Sequence, residues 1–322
     1  MKNKNTTIKK DSIEINSNNK ANNLEPNWIT GFIDAEGCFY VYLGKRKDRK
    51  SGWKIQPCFQ IKLHIKDKNL LLRIKSYFGE IGTIVINNNY NFVVYKIYSL
   101  DQNIRTIIPH FDKYPLITQK QGDFFIWKKI INLINNKEHL NEKGLIKVVS
   151  LKTNLNKGLS KELKLYFPDI IKVEKPKVSL PTNIDKNWIA GFFSGEGCFS
   201  VGIYKSNSHK IGYGILLQII FTQHLRDEIL FDSIKKTLGC GNIIKSLTKN
   251  IIKLNISKFE DIYYKMIPLF KEYDIEGIKA LDFQDFCVVA ELINNKVHLT
   301  LEGLEEIQKM KNKMNKSRVY TL

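Results

Sequence analysis

The sequence predicts an α+β protein made of two pseudo-symmetric halves, each with helices packed on an antiparallel sheet. Three observations carry that prediction. Trp28 to Val41 reads WITGFIDAEGCFYV and Trp188 to Val201 reads WIAGFFSGEGCFSV, with nine of fourteen positions identical at an offset of 160. Further matches keep an offset of 159: Ile108-Pro109-x-Phe111 with Ile267-Pro268-x-Phe270, Leu133 to Leu140 with Leu292 to Leu299, and Gly144-Leu145 with Gly303-Leu304. Inside each copy the apolar spacing alternates between the helical and the strand period. A repeat of this length at a nearly fixed offset is a duplicated domain, and 322 residues suffice for two such units.

Residues 1–23 are polar, rich in Lys and Asn, and are expected to be disordered or a processing remnant. The first domain is placed at 24–150, a linker at 151–183 and the second domain at 184–322. The second half of the linker, VEKPKVSLPTN, reads as extended, and its first half, LSKELKLYFPDI, is compatible with a short helix. Each domain opens with the motif helix. CFYVYLGKRK then alternates as a strand, and KIQPCFQIKLHI follows as a second one. In that strand Ile55, Phe59, Ile61, Leu63 and Ile65 share one face and Lys54, Gln56, Gln60, Lys62 and His64 the other. Asp67 to Phe78 has helical spacing and stops at Gly79; its counterpart, Asp227 to Leu238, stops at Gly239. Two shorter strands and closing helices complete each copy.

Lys plus Arg outnumber Asp plus Glu by 51 to 32, a formal charge of +19 that implies a polyanionic partner. AT-rich coding also enriches Lys, Asn and Ile, though it accounts for the asparagine better than for the charge imbalance. The five cysteines, at 38, 58, 198, 240 and 287, form no C-x-x-C pair and read as reduced thiols of an intracellular protein. No apolar run approaches the ~20 residues of a membrane span, so a soluble protein with no membrane partner is expected. P-loops, dinucleotide turns and nucleophile triads find no support.

The repeated motif carries the chemistry. Gly31 and Ala35, and likewise Gly191 and Gly195, are small residues four apart on one helix face, which lets the two motif helices approach closely and form the domain interface. Each helix then ends in an acid and a glycine, Glu36-Gly37 and Glu196-Gly197. The glycine is expected to leave the helix through positive φ. Each glutamate sits at the negative end of a helix dipole and faces its twin, a situation a cation would resolve. Mg²⁺ favours oxygen ligands and substrate phosphate, so metal-assisted phosphodiester hydrolysis is the predicted reaction. Asp34 is replaced by Ser194 in the second copy, so a role required twice does not rest on it.

ITGFIDAEG (Ile29 to Gly37) and IAGFFSGEG (Ile189 to Gly197) resemble the nonamer that names the LAGLIDADG homing endonucleases, of the single-chain, double-motif type found in fungal and organellar introns. The resemblance spans essentially the whole chain after the tail. Phe193, Ser194 and Gly195 depart from the nonamer but spare Glu196 and Gly191. It implies αββαββα halves whose saddle-shaped sheets lie over DNA. It further implies a monomer that breaks both strands of a long site across the minor groove, leaving short 3′ overhangs. Metal ligands would be Glu36 and Glu196 with the carbonyls of Ala35 and Gly195, holding Mg²⁺ with Mn²⁺ able to substitute. Lys120 and Lys279, equivalent at an offset of 159, match the region that supplies a lysine near the scissile phosphate. Mitochondrial location in an intron-bearing organelle is also implied. Because some relatives act as maturases, intron RNA is the alternative partner.

DNA-binding residues are expected on the long strands. Between Ser51 and Lys66 there is no acid, and Gln and Lys pair with adenine and guanine in a major groove that admits a two-stranded ribbon. Lys54, Gln56, Gln60, Lys62 and His64 are the candidates there, with Lys45 and Arg46 in the preceding loop, Gly44 to Gly52, contacting phosphates. Tyr204, Lys205, Gln218, Thr222 and Gln223 are their counterparts in the second copy. His139 and His298 recur at helix ends and read as structural caps.

Overall fold

A computed structural model describes residues 24–48 and 52–318; the expected tail at 1–23 lies outside them. The first half runs α1 (Pro26–Glu36), β1 (Gly37–Lys45), β2 (Trp53–His64), α2 (Lys68–Tyr77), β3 (Thr83–Asn87), β4 (Phe92–Ile97), α3 (Leu100–Gln102), α4 (Ile108–Lys113), α5 (Lys120–Asn135), α6 (Glu142–Lys152) and α7 (Lys161–Tyr166). The second runs α8 (Lys186–Glu196), β5 (Gly197–Lys205), β6 (Tyr213–His224), α9 (Glu228–Leu238), β7 (Asn242–Ser246), β8 (Ile251–Ile256), α10 (Phe259–Asp261), α11 (Ile267–Glu272), α12 (Lys279–Asn294) and α13 (Leu301–Lys313). The two antiparallel sheets have the same order, β1-β2-β4-β3 and β5-β6-β8-β7. The α+β class and the duplication expected from the sequence are therefore present. No described helix is long and apolar enough to cross a membrane.

Strand alternation sets the core. Phe39 pairs with Phe59, and Phe59 with Ile97, so these side chains point to one face of the sheet. There they pack with Phe111, Phe124 and Trp127. In the second half Phe193, Phe199, Phe221 and Phe270 form the matching aromatic cluster. Helix exits follow the expected glycines at Gly79 (φ 76) and Gly239 (φ 63), left-handed positions that glycine occupies without strain. Ahead of each Ile-Pro pair lies a wider π turn, Asn103–Ile107 and Ile262–Met266. A proline has no N–H to give and crowds the carbonyl one turn back, and the wider turn relieves that crowding. The linker is more structured than its composition suggested. Leu159 and Leu163 of its short helical part pack on Leu43, Leu145 and Val149, and Ser179 donates its amide to Gln121 Oε1 at 2.9 Å.

His110 ties three elements together inside the first half. Its ring shares hydrogen bonds with Thr30 Oγ1 at 3.1 Å and Tyr77 OH at 3.2 Å. Burial pushes its pKa down to about 4.

The two halves meet along α1 and α8. A Cβ on Gly31 would fall onto the Trp188 carbonyl oxygen, and a Cβ on Gly191 onto the Trp28 carbonyl oxygen, so the backbones touch reciprocally. Gly195 faces Ala35, and a methyl there would collide with the Ala35 methyl. All four small residues thus pack at the interface as expected. Trp28 stacks on Phe32 and Trp188 on Phe192, and one continuous apolar cluster runs through both halves. Polar groups close the edges of the seam: Trp28 Nε1 donates to the Asp274 carbonyl at 3.0 Å, and Arg73 grips Glu276 with both terminal nitrogens.

Gly37 and Gly197 overturn one expectation. Their φ values are −73° and −80°, extended rather than left-handed. Glycine is needed there for space: a Cβ at 37 would lie 2.8 Å from the Ile33 carbonyl oxygen, and one at 197 would collide with the Phe193 ring.

Two outcomes follow from this packing. Gly31→Ala should lower stability by about 1–3 kcal/mol, the usual cost of overpacking; an unchanged denaturant midpoint would show that the helices do not touch. His110 must stay neutral in the fold while the unfolded chain takes up a proton near pH 6.5. Its contribution is therefore present above that pH and lost as pH falls toward 4. The stability gap between wild type and His110→Phe should shrink by about 3 kcal/mol from pH 7 to pH 4, as linkage requires. Parallel pH curves for the two proteins would refute it.

Candidate active site and nucleic-acid face

Close packing of α1 and α8 brings their C-terminal ends together. Both helices end on the glutamate, Glu36 and Glu196. Glu36 reaches beside the opposite helix: its Cγ lies 3.1 Å, and its Oε1 3.6 Å, from where a Gly195 Cβ would stand. Burial pushes both carboxyl groups above their usual range, and Glu196 is raised further by the charge of Glu36. The ammonium groups of Lys279 and Lys120 pull both back down.

Those two lysines lie at the start of α5 and α12 and converge on the same point. Lys120 Nζ donates to the carbonyls of Ile33 (2.8 Å) and Ala35 (3.1 Å), and Lys279 Nζ to those of Phe193 (2.9 Å) and Gly195 (2.7 Å). The exposed negative ends of the helix dipoles are thus already faced by protein cations, which the sequence argument had left to a metal alone. Burial lowers both ammonium pKa values, that of Lys279 to about 8, against the opposing pull of the carboxylates. The Ala35 and Gly195 carbonyls, expected as metal contacts, accept lysine hydrogen bonds while each retains a second lone pair. The charges act across the seam: for Lys279 the largest is Glu36, and on Glu196 Lys120 acts more strongly than Lys279, while Lys120 itself feels Asp34 and Glu36 of its own half before Glu196. A cleft of about 730 Å³ shows the same crossing. It is lined by Glu36, Lys62, His64 and Asp67 from the first half and by Gly195, Lys279 and Asp282 from the second.

Asp34, set aside by sequence reading because Ser194 replaces it, organises this site indirectly. Its buried carboxylate accepts from the amides of Ile117 (2.9 Å) and Thr118 (3.3 Å), from Thr118 Oγ1 (2.5 Å) and from Trp188 Nε1 across the seam (2.9 Å). Thr118 Oγ1 in turn accepts from the Lys120 amide. Burial raises the Asp34 pKa to about 6, with the hydrogen bonds from Thr118 and Ile117 opposing it. Ser194 does a smaller version of the same task, accepting from the Glu276 amide at 3.1 Å. No motif spacing could reveal these partners, which lie more than 80 residues away.

The sheet face turned away from the core carries Lys54, Gln56, Gln60, Lys62 and His64, as the alternation required, and all five are at least partly exposed. Registry adds Tyr42 opposite Gln56 and Lys96 opposite Gln60, which sequence reading missed although β4 also alternates. In the second half Tyr204, Gln218 and Thr222 share the outer face, with Ser200, Lys253 and Asn255 beside them. Gln223 does not belong there. It has the parity of buried Phe221, pairs with buried Ile252, and turns its Oε1 to the amide of His224 at 2.8 Å. Lys205 and Lys45 likewise have the core-side parity at strand ends, where the Lys45 ammonium sits 3.7 Å over the Tyr166 ring. Arg46 is exposed in the hairpin and paired with Asp48. His139 and His298 bond to backbone at the ends of α5 and α12, consistent with capping, although the Nδ1 atom of each is buried without a partner.

Paired helix ends, paired acids, paired lysines and two matching four-stranded sheets define a double-motif architecture, and the LAGLIDADG endonuclease family matches residues 29–131 and 189–290. The chain belongs to that family. Among relatives, it is 39% identical to probable intron-encoded endonuclease 3 of Neurospora crassa over 87% of its length and 38% identical to probable intron-encoded endonuclease 2 of the same fungus over 90%. It spans 52% and 65% of those two proteins. Among solved structures, the I-SmaMI LAGLIDADG homing endonuclease bound to cleaved DNA superimposes with a TM-score of 0.90 at 42% identity, covering 92% of this chain and 99% of that one. The same enzyme is also known bound to uncleaved target in the presence of calcium ions.

Proposed function

We propose that the chain is a monomeric homing endonuclease that hydrolyses both strands of a long duplex site, with Mg²⁺ as its metal and an intron-bearing mitochondrial gene as its origin. The single observation that carries this reading is the convergence at the seam of two half-buried glutamates and two half-buried lysines, one of each from either half. The cation assignment is tested by the donor set. Glu36 and Glu196 are carboxylates whose burial disfavours their charge, and the adjoining donors are main-chain oxygens. All are hard ligands. No group of three or more His, Cys, Asp or Glu able to hold a metal occurs among the described residues, so water and phosphate oxygens would complete the shell, as Mg²⁺ prefers.

When bound, the metal would supply Lewis acidity and lower the pKa of a coordinated water. The chain's own residues would do the rest. Glu36 and Glu196 would hold the metal at the seam. Lys120 and Lys279, fixed on the last carbonyls of the motif helices, place ammonium charge where negative charge grows on the phosphate. One P–O bond forms to water and one to the sugar oxygen breaks, the leaving oxygen taking up a proton. The outer faces of the two sheets bind the duplex, with lysines on phosphate and glutamines on base edges. Intron-encoded relatives and AT-rich composition support the organellar origin.

The test is cleavage of a plasmid carrying the intronless host-gene sequence. Mg²⁺ should give double-strand breaks, and Glu36→Gln or Glu196→Gln should slow them by about 100-fold or more, as loss of a ligand does. A folded wild type that neither cuts nor binds this DNA yet binds the intron RNA would replace this reading with the maturase one. On the binding face, Gln60→Ala should relax base preference at one position at a cost of about 1–3 kcal/mol, whereas Lys54→Ala should weaken all duplexes alike. Equal profiles for both variants across a base-substituted target series would remove Gln60 from readout.

A further inference from the structure

Asp67 and Asp227 occupy equivalent places, each the last residue of the single turn (Ile65–Asp67 and Leu225–Asp227) that follows the long central strand. Both carboxylates reach across the seam. Asp227 Oδ1 accepts from the Gln119 amide at 2.7 Å, and Asp67 Oδ1 accepts from the Ile278 amide at 2.8 Å. Those amides belong to the residues immediately before Lys120 and Lys279.

A helix start leaves its first amides without intrahelical partners, and a nearby side chain ordinarily supplies them. At α5 and α12 the residue in the capping position, Gln119 or Ile278, makes no such side-chain bond. At α5 Thr118 Oγ1 takes the Lys120 amide, and in both halves the opposite half supplies the acceptor at the amide of the capping residue. Two details show that these contacts are built in. Gly277 has φ +70, and a Cβ there would stand 2.7 Å from Asp67 Oδ1, so the backbone reaches the carboxylate only as glycine. The Asp227 side chain is 2% exposed, and its second oxygen has no hydrogen-bond partner. An acid buried that deeply carries a desolvation cost, offset by its contact with Gln119 and by the Arg226 guanidinium 3.9 Å from its second oxygen. The geometry downstream is tight. Lys279 Nζ bonds to two carbonyls at the end of α8 and shares a cleft with Glu36 and Asp67. A shift in the start of α12 therefore moves the ammonium.

We propose that Asp67 and Asp227 are positioning residues that fix the active lysine of the opposite half, Asp67 acting on Lys279 and Asp227 on Lys120, so that each DNA strand is cut by a centre complete only across the seam. This rests on the nuclease reading above. Neither acid touches the reacting phosphate; each acts through a helix start.

The experiment is strand-resolved cleavage of a duplex spanning the host gene's intron-insertion site, labelled differently on its two strands, in Mg²⁺. Asp67→Ala should slow one strand and Asp227→Ala the other by roughly 10- to 100-fold, as misplacement of a catalytic group does, with affinity measured in Ca²⁺ held within about twofold. Nicked duplex should accumulate. Asn keeps an Oδ1 acceptor without the charge, so Asp67→Asn and Asp227→Asn should restore most of the rate. Lys279→Met should slow the same strand as Asp67→Ala, and combining the two should add little. Equal slowing of both strands by each Ala variant, or Asn variants as slow as Ala, would overturn positioning in favour of a ligand or charge role. If Asp67→Ala does not fold, Gly277→Ala presses on the same contact from the other side and must slow the Lys279 strand. A wild type that leaves the duplex whole sinks the nuclease reading and this inference with it. A wild type that cuts beside Ala variants that cut both strands normally sinks the inference alone.

Discussion

The contact between two helix backbones at Gly31 and Gly191 is the constraint on which the rest of the molecule depends. With no side chain between them, each helix lies against a carbonyl of the other, and both C-terminal ends arrive at one place. The shared apolar cluster, the tryptophans buried on either side and the adjacent carboxylates are consequences of that approach. Larger residues at either position would keep the two acids apart even if both halves folded normally. The interface therefore positions the paired acids as well as packing the halves.

Bringing like charges together inside a protein is costly, and the structure shows how the cost is contained. At an effective dielectric near 20, two unit charges about 4 Å apart interact by roughly 4 kcal/mol, enough to matter against the marginal stability of a domain. Two half-buried ammonium groups answer two half-buried carboxylates, and each ammonium also satisfies carbonyls that a helix end leaves open. This arrangement keeps the acids in place without filling their coordination, because a lysine bonded to the main chain leaves the carboxylate oxygens available.

Much of this was legible in the sequence because the informative features are local or repeated. The duplication, the strand alternation from Lys54 to His64, the glycine stops at 79 and 239, and the acid at the end of each motif helix all follow from short-range spacing. What the sequence concealed depends on contacts between distant segments. The roles of Asp34 and Asp67 come from partners 83 to 211 residues away. Gly37 and Gly197 were assigned to backbone conformation when side-chain crowding is the cause, since a glycine after a helix signals either. Gln223 was misplaced for a simpler reason: in a strand as apolar as β6, where Ile219 and Ile220 are adjacent, alternation is weak and parity is fixed only by the partner strand.

One consequence lies in the pairing of Ala35 with Gly195. The space between the motif helices admits a single methyl group, so the two halves are complementary rather than equivalent. Two copies of the first half would bring two methyls into collision, and two copies of the second would leave a void where one belongs. At this point each duplicated segment fits the other better than it would fit a second copy of itself. Within one chain the halves are fixed partners: a symmetric axis would need repair at Ala35 or Gly195, whereas the outer faces of the two sheets lie away from the axis and can differ freely.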